Sequence, residues 1–529
     1  MKRYLILISL LFSINHPVIY CQQLDYIRGK VIDSKTSEPV PYATVRLKNS
    51  QIGVISNAEG DFRILNNPKF QSDSLIVSCI GFHRLSVAFS VLKTSGMNNL
   101  KLVPNIYVLN EVRVTARKRR LNPEIIIARA LRNIKKNNPA IPFSYVSYYR
   151  DYQKDSSNYL NLNEAIIQTL DKGFAYASDS NRYRLLDFSK NMDFLRMNIT
   201  PYYDLPRTDH SDESFKRIPH AMVGDQYGNE LFILLVHDAI RNFDKRSFSF
   251  VDTLTKNFIR NHRFSNPVGI YDESTVLYKI DFTAKRQITG DSIQMKGAIF
   301  IQPDDYSIHK LEYSGSFLDN SGEKYKDIFN IEIEYGHEPA VNSMMCLKYI
   351  SFSNSFTIPD STDNDYFKMD KLVWRNSPLG PFPDMTIIVS FNRNIDPVIA
   401  GKTDNYDLTI GKRKAKITKV LAKGPYLFIT VRDDKFKHEE MDSTIININN
   451  LKDINGNILN KRRDLEFHQF RELFVQEYNK PLKFQDKCFI QPMPLENNCI
   501  SISTSSERYW MNTPLKEKEK RQNSQNLVN

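Results

Sequence analysis

Glu59 and Asp61 in "GVISNAEGDFRI" are the first residues whose type and spacing invite chemistry, two carboxylates either side of Gly60. Carboxylates on one turn offer oxygen ligands to a hard cation, but calcium takes six or more oxygens and few others are near. The plainer reading is a corner: Gly60 supplies the positive φ of a hairpin turn, Glu59 and Asp61 face water, and Phe62 and Ile64 return to the core. A second turn, Asp453, Asn455 and Asn457 around Gly456, has the polar density of a cation loop. It lacks the glutamate that closes an EF-hand, so Asx side chains capping a tight turn describe it better. "HEEMD" at 438–442 lacks the second histidine of HExxH and reads as solvated charge. Gly-x-Ser-x-Gly, GxxxxGK[ST] and GxGxxG do not occur, which removes the esterase elbow and the usual phosphate cradles.

Cysteine chemistry is sparse. Cys79 and Cys346 lie in apolar, strand-like runs where a thiol packs as a small hydrophobe. Cys488 and Cys499 sit in a loop-like tail, able to pair in an oxidising compartment. No CxxC or Cys/His spacing suggests zinc. The chain opens "MKRYLILISLLFSINHPVIYCQQ": basic Lys2 and Arg3, then an apolar stretch from Tyr4 to Ile14 too short to span a bilayer, then a cleavage site near Cys21. This is a secretory signal peptide over 1–21, and it predicts an exported product, periplasmic or associated with the outer membrane. Tyr20 is bulky where a lipoprotein signal needs a small residue, so lipidation of Cys21 is the lesser reading. The net charge of +12 is concentrated at 117–120, 461–464 and 516–521. For an exported chain this argues against nucleic acid as partner and leaves solvated linkers, or contact with anionic lipid or glycan.

The elements that must hold these residues are mostly strands, in keeping with an aromatic content of 12%. From Tyr26 to Leu102, Val31, Ala43, Val45 and Leu47 alternate with polar residues as in half-buried antiparallel strands. "GKVIDSKTSEPVPYATVRL", "NAEGDFRI" and "LIVSCIGF" together resemble the carboxypeptidase regulatory-like domain, which implies a transthyretin-like β-sandwich over 24–103. "EVRVTA", within a linker over 104–121, is similar to the segment that follows this sandwich in TonB-dependent receptors, whose long series of membrane strands this chain lacks. Asn122 and Pro123 then open a helix with Ile127, Ala130, Leu131 and Ile134 on one face. A second helix is expected over 229–243. "GAIFIQPDDYSIHKLEYS" resembles the half-barrel repeat of periplasmic lipoprotein-carrier-like domains, so 122–371 is expected as an α+β curved-sheet domain. Its inner face is either a cradle for an acyl chain or peptide, or simply filled. "IVSFNRNID" and "LKDINGNIL" resemble the opening strand and closing hairpin of a bacterial Ig-like domain over 372–460. A C-terminal extension, 461–529, ends in a polar tail that reads as disordered.

The carboxypeptidase resemblance invites one test. Zinc carboxypeptidases use a His-x-x-Glu pair and a distant His. His210 and Glu213 in "DHSDES" have that spacing, with His337 downstream. Their surroundings, "RTDHSDESFKR", form a polar loop with no apolar strand to hold ligands, and the other catalytic-domain signatures are missing. The reading is therefore a mainly β, multidomain, non-catalytic envelope protein without catalytic residues, metal or cofactor, binding or scaffolding a protein, glycan or lipid. The alternative is a zinc carboxypeptidase-like or other hydrolase.

Overall fold

The computed structural model describes residues 26–49, 53–107, 122–156, 158–191, 194–197, 231–244, 254, 256–272, 275–291, 293–318, 325–360, 363–376, 385–431 and 443–479. The signal region with Cys21, most of the expected linker, His210, Glu213, "HEEMD", Cys488 and Cys499 lie outside these. The described chain is mainly β and built from several sheets, as the alternating runs predict. It forms two units. One takes the described residues up to Met197, those from Leu231 to Ser355, and those from His468; the other takes those from Phe356 to Phe467.

The first unit begins with β1 (Tyr26–Asp33), β2 (Thr44–Leu47), β3 (Gly53–Ile55), β4 (Asp61–Leu65), β5 (Ser74–Ser78), β6 (Leu85–Ala88) and β7 (Met97–Leu102). Two sheets, β4-β1-β7 and β3-β2-β5-β6, face each other across a core of Ile27, Val31, Val45, Leu47, Phe62 and Leu75. The strands β3 and β4 belong to different sheets, so the turn between them is an arch across the sandwich rather than the expected hairpin. Gly60 sets that path. Its φ is 76°, and a Cβ there would lie 2.5 Å from the Val31 carbonyl, so the chain passes beneath β1 at a distance only glycine permits.

The chain continues through β8 (Ile106–Tyr107), α1 (Pro123–Asn137), β9 (Phe143–Lys154), β10 (Tyr159–Asp171), β11 (Arg182–Lys190), α2 (Leu231–Val236), α3 (Lys256–Asn261), β12 (His262–Phe264), β13 (Val268–Asp272), β14 (Thr275–Ala284), α4 (Arg286–Thr289), β15 (Ile293–Ile301), β16 (Ile308–Leu318), β17 (Tyr325–Glu338) and β18 (Met344–Pro359). It then forms β19 (Met369–Asn376), β20 (Met385–Phe391), α5 (Pro397–Ala400), β21 (Tyr406–Ile410), β22 (Arg413–Lys414), β23 (Ile417–Lys423), β24 (Tyr426–Val431) and β25 (Thr444–Ile448), and returns as β26 (Asp464–Asn479). A twelve-stranded sheet results, ordered β11-β10-β9-β26-β18-β17-β16-β15-β14-β13-β8, with β12 beside β14. The strand β26, drawn from the region read as a C-terminal extension, thus occupies the middle of this sheet between β9 and β18.

One face of the large sheet carries Tyr145, Tyr149, Ile331, Ile333, Ile350 and Leu473 against the apolar sides of α1, α2 and α3. The helix α1 starts where Asn122 accepts hydrogen bonds from the Glu124 and Ile125 backbone N–H groups, with Pro123 in its first turn. It buries Ile126, Ile127, Ala130 and Ile134. The expected helix over 229–243 ends early, at Val236. Asp238 Oδ1 accepts from the backbone N–H groups of Ile240 and Arg241, an Asx arrangement that competes with continued helix. The other face of the sheet is covered by the sandwich: Tyr42 and Ile55 pack on Tyr349 and Phe474, and Ile80 packs on Phe300 and Leu277. Cover on both sides explains why β9 is buried at nearly every position. No helix among the described residues is long and apolar enough to cross a membrane.

In the second unit, β19-β20-β24-β23 and β22-β21-β25 share a core of Phe367, Ile387, Val389, Leu408, Leu427 and Ile429.

Candidate functional site

Of the opening acidic pair, Glu59 makes a contact between the sandwich and the large sheet. Asn57, fully buried, shapes the turn by accepting from the backbone N–H groups of Glu59 at 3.0 Å and Asp61 at 2.8 Å. This aims Glu59 at the ends of β9 and β10, where Lys154 Nζ pairs with Oε1 at 2.5 Å and the Tyr159 hydroxyl donates to Oε2. The expectation that both carboxylates stand in water is corrected for both: Glu59 is two-partnered and half-buried, and Asp61, its side chain 16% exposed, pairs with Lys30 at 3.6 Å. Burial works against the Glu59 charge, but the Lys154 and Tyr159 hydrogen bonds outweigh it and hold the carboxyl below its ordinary value. A depressed carboxyl stabilises the fold above its unfolded value and loses that contribution as pH falls through the folded one. Because the pair is about one-third exposed and screened, Glu59→Gln is expected to cost only about 0.5–1 kcal/mol near neutral pH. Faster amide exchange over 53–65 and 154–159, with the difference shrinking in acid, checks this; unchanged exchange would refute it.

Beyond that contact, charges lie deep in the covered sheet. Arg150 of β9 faces its register partner Glu472 of β26 in a direct ion pair, both almost fully buried. Burial pushes the Glu472 carboxyl up against the pull of Arg150. Lys310 of β16 bridges Glu332 at 2.5 Å and Glu312 at 3.0 Å. On the helix-covered face, Asp151 and Arg471 are also cross-strand partners, 3.9 Å apart. Burial pushes Asp151 up to about 6 despite Arg471. Removing either partner of such a pair alone would leave an uncompensated buried charge.

A cavity of about 30 Å³ opens beside the loop after α2, between Tyr145, Asp171, Asp238, Arg241, Tyr335 and Tyr478. Arg241 grips Asp171 through two hydrogen bonds of 3.0 and 2.9 Å and also donates to the Gly173 and Tyr176 carbonyls. The Tyr335 hydroxyl donates to Asp238 Oδ2 at 2.8 Å. Burial raises the Asp238 carboxyl to about 6. A carboxyl titrating near neutrality beside a cavity is the type of group that serves as general acid or base. Here it already accepts three hydrogen bonds, and the space beside it is that of a few waters. These residues anchor the loop to the sheet.

His337 stands at the end of β17, its Nδ1 2.8 Å from the Ser343 carbonyl and its Nε2 4.0 Å from Asp305. Among the described residues no group of three or more His, Cys, Asp or Glu side chains is placed to hold a metal ion. Asp453 caps its own turn: Oδ1 accepts from the Asn455 and Asn457 backbone N–H groups, and Oδ2 from the Asn457 amide and Arg393. Burial opposes its charge, yet these bonds hold the carboxyl below its ordinary value. Burial pushes the Cys79 and Cys346 thiols up to about 12, which leaves little thiolate for nucleophilic attack. The sequence reading passed over Arg150, Asp151, Asp171, Arg241, Arg471 and Glu472; the available signal was "YRDY" within a strand and "FRELF" near the end.

Among solved structures, the chain has a likeness to the Pseudomonas aeruginosa MucA/MucB complex, at 9% identity and a TM-score of 0.16, covering 62% of this chain and 98% of that one. A protein of unknown function from Bacteroides fragilis matches at 9% identity and a TM-score of 0.13, covering 86% of this chain and 98% of that one. MucB in complex with MucA(peri) matches at 9% identity and a TM-score of 0.15, covering 62% and 99%. Likeness at these scores carries no argument about this chain. No curated protein matches it. Residues 27–114 match the family model described as CarboxypepD_reg-like domain, which takes in the whole run from β2 to β8. The N-terminal sandwich is a CarboxypepD_reg-like domain.

Proposed function

We propose that this is a non-catalytic, exported envelope protein that binds a protein partner through its outer surfaces. The observation that carries the reading is how the interior ionisable groups are used. Arg150, Asp171, Asp238, Arg241, Lys310 and Glu472 are closed by partners on neighbouring elements. The cavity beside Arg241, about 30 Å³, has room for a few waters rather than a substrate. The assigned domain is regulatory-like rather than catalytic, which points the same way. With both faces of the large sheet covered, recognition falls to the outer loops and sheet faces, where a protein is the natural occupant. The region 1–21, with its basic start and apolar stretch, supports export.

In-cell cross-linking in envelope fractions, with mass spectrometry of the adducts and elemental analysis of the purified chain, tests this. One protein recovered in stoichiometric amount from a zinc-free chain is the expected result. One zinc per chain, lost in a His210→Ala variant and accompanied by peptidase activity, would overturn it in favour of a hydrolase using His210, Glu213 and His337. A lipid or glycan recovered in place of a protein would overturn the partner class.

A further inference from the structure

The sheet β19-β20-β24-β23 has one face on the core of the second unit and one face outward. Its register places the outward side chains in three straight rows across the strands. The middle row is Val373, Ile388, Phe428 and Leu421. One flanking row is Lys371, Ser390, Tyr426 and Lys423; the other is Arg375, Thr386, Thr430 and Lys419. Asp370 falls at the bulge between Met369 and Lys371, outside these rows. The middle row is wholly apolar, with Val373 42% and Leu421 54% exposed, and Tyr426 beside it 48% exposed. Every charged position in the three rows is a cation, and the four cations stand at the corners. Strand spacing makes each row about 14 Å long, and the two basic rows lie about 14 Å apart.

A row of large apolar side chains on the outward face of a sheet is unusual where water alone covers it. Its dimensions fit one α-helix, about 10 Å across, lying along the middle row for roughly ten residues. Such a helix would seat apolar residues at i, i+3 or i+4, and i+7 on the row, and reach the corner cations with carboxylates on both flanks. A bilayer is the poorer occupant. Interfacial insertion needs apolar groups carried about 5–10 Å into the membrane, whereas Ile388 and Phe428, the two central residues of the row, are half-buried. We propose that this face docks an acidic, amphipathic helical segment of a partner protein. The proposal rests on the partner-binding reading above and names the surface and the chemistry of the segment.

The test uses the full chain and a fluorescein-labelled synthetic peptide of about fourteen residues, with Leu at i, i+3, i+4 and i+7 and Glu on both flanks. The control peptide carries Lys in place of each Glu. The acidic peptide is expected to bind, more weakly as salt is raised, and the basic one to bind at least about tenfold more weakly. Leu421→Glu, and separately Lys419→Glu with Lys423→Glu, are expected to weaken the acidic peptide about tenfold or more while leaving the circular dichroism of the chain unchanged. These positions are exposed, so folding does not depend on them. Equal binding of the two peptides, no binding of the acidic one, or indifference to the substitutions would overturn the proposal. So would binding to phosphatidylglycerol vesicles that these same substitutions abolish, which would assign the face to a membrane. If in-cell cross-linking yields a stoichiometric partner but a photo-reactive residue at position 421 captures none of it, this surface fails while partner binding stands. If no partner is found at all, both fail.

Discussion

Glu472→Ala is expected to lower the stability of the first unit by about 3–5 kcal/mol, the largest effect of any single substitution proposed for this protein. Glu472 and Arg150 are register partners on adjacent central strands, both almost fully buried beneath the sandwich domain. Deleting the carboxylate leaves a guanidinium that cannot shed its proton in a place water does not reach. Tyr152, whose hydroxyl lies 3.5 Å from Glu472 Oε1, offers a neutral contact but no compensating charge. Replacing both members, Arg150→Met with Glu472→Leu, is expected to restore stability to within about 1 kcal/mol of the parent, because the penalty belongs to the orphaned charge and not to the missing pair. The chain has two units and need not unfold in one step, so amide exchange of the β9 and β26 segments under urea is the suitable readout. A loss below about 1 kcal/mol in the single variant, or a double variant as unstable as the single, would show that the pair is hydrated in solution.

That pair also shows what could be read from the sequence and what could not. The N-terminal sandwich was legible because Val31, Val45 and Leu47 alternate with polar neighbours, as they must when one side of a strand is core and the other is wet. The helix α1 was legible from Asn122, Pro123 and the spacing of Ile127, Ala130 and Ile134. The strand β9, "FSYVSYYRDYQK", breaks the rule because both its faces are covered, so Ser144 and Arg150 sit at buried positions that alternation assigns to water, while Asp151 is a charge on the face that alternation assigns to the core. Its partner Glu472 is 322 residues away, and nothing local announces the pairing. The same holds for Glu59: the turn around Gly60 is written in "NAEGD", but the Lys154 and Tyr159 that receive the carboxylate belong to another fold element. Corners and caps are local events and can be read locally. Burial on a second face is set by a neighbouring domain, and only the assembled chain contains it.

Asp238→Asn is expected to stabilise the first unit at about pH 7 by roughly 2–3 kcal/mol, and to do little at about pH 4. Burial holds the Asp238 carboxyl at about 6, above its ordinary value of 3.8. A raised carboxyl pKa means that the folded chain keeps the proton more tightly than the unfolded one. Below the ordinary value both states are protonated and nothing is lost. As pH rises from about 4 to about 6 the unfolded chain ionises first and stability falls, and above that window the deficit is constant. Asparagine keeps an oxygen to accept from the Ile240 and Arg241 backbone N–H groups, and its amide can donate to the Tyr335 hydroxyl, so the turn after α2 retains its bonds without a buried charge. Arg241 keeps its anion, because Asp171 and not Asp238 grips it. The variant should not flatten the profile completely, since Asp151 is also raised to about 6, and burial raises Glu332 and Glu472. Urea unfolding of parent and variant across this range, followed by amide exchange at 231–244 and in β17, measures the difference. A stability gap that does not change with pH would mean that Asp238 titrates normally and that the cavity beside it is open to bulk water.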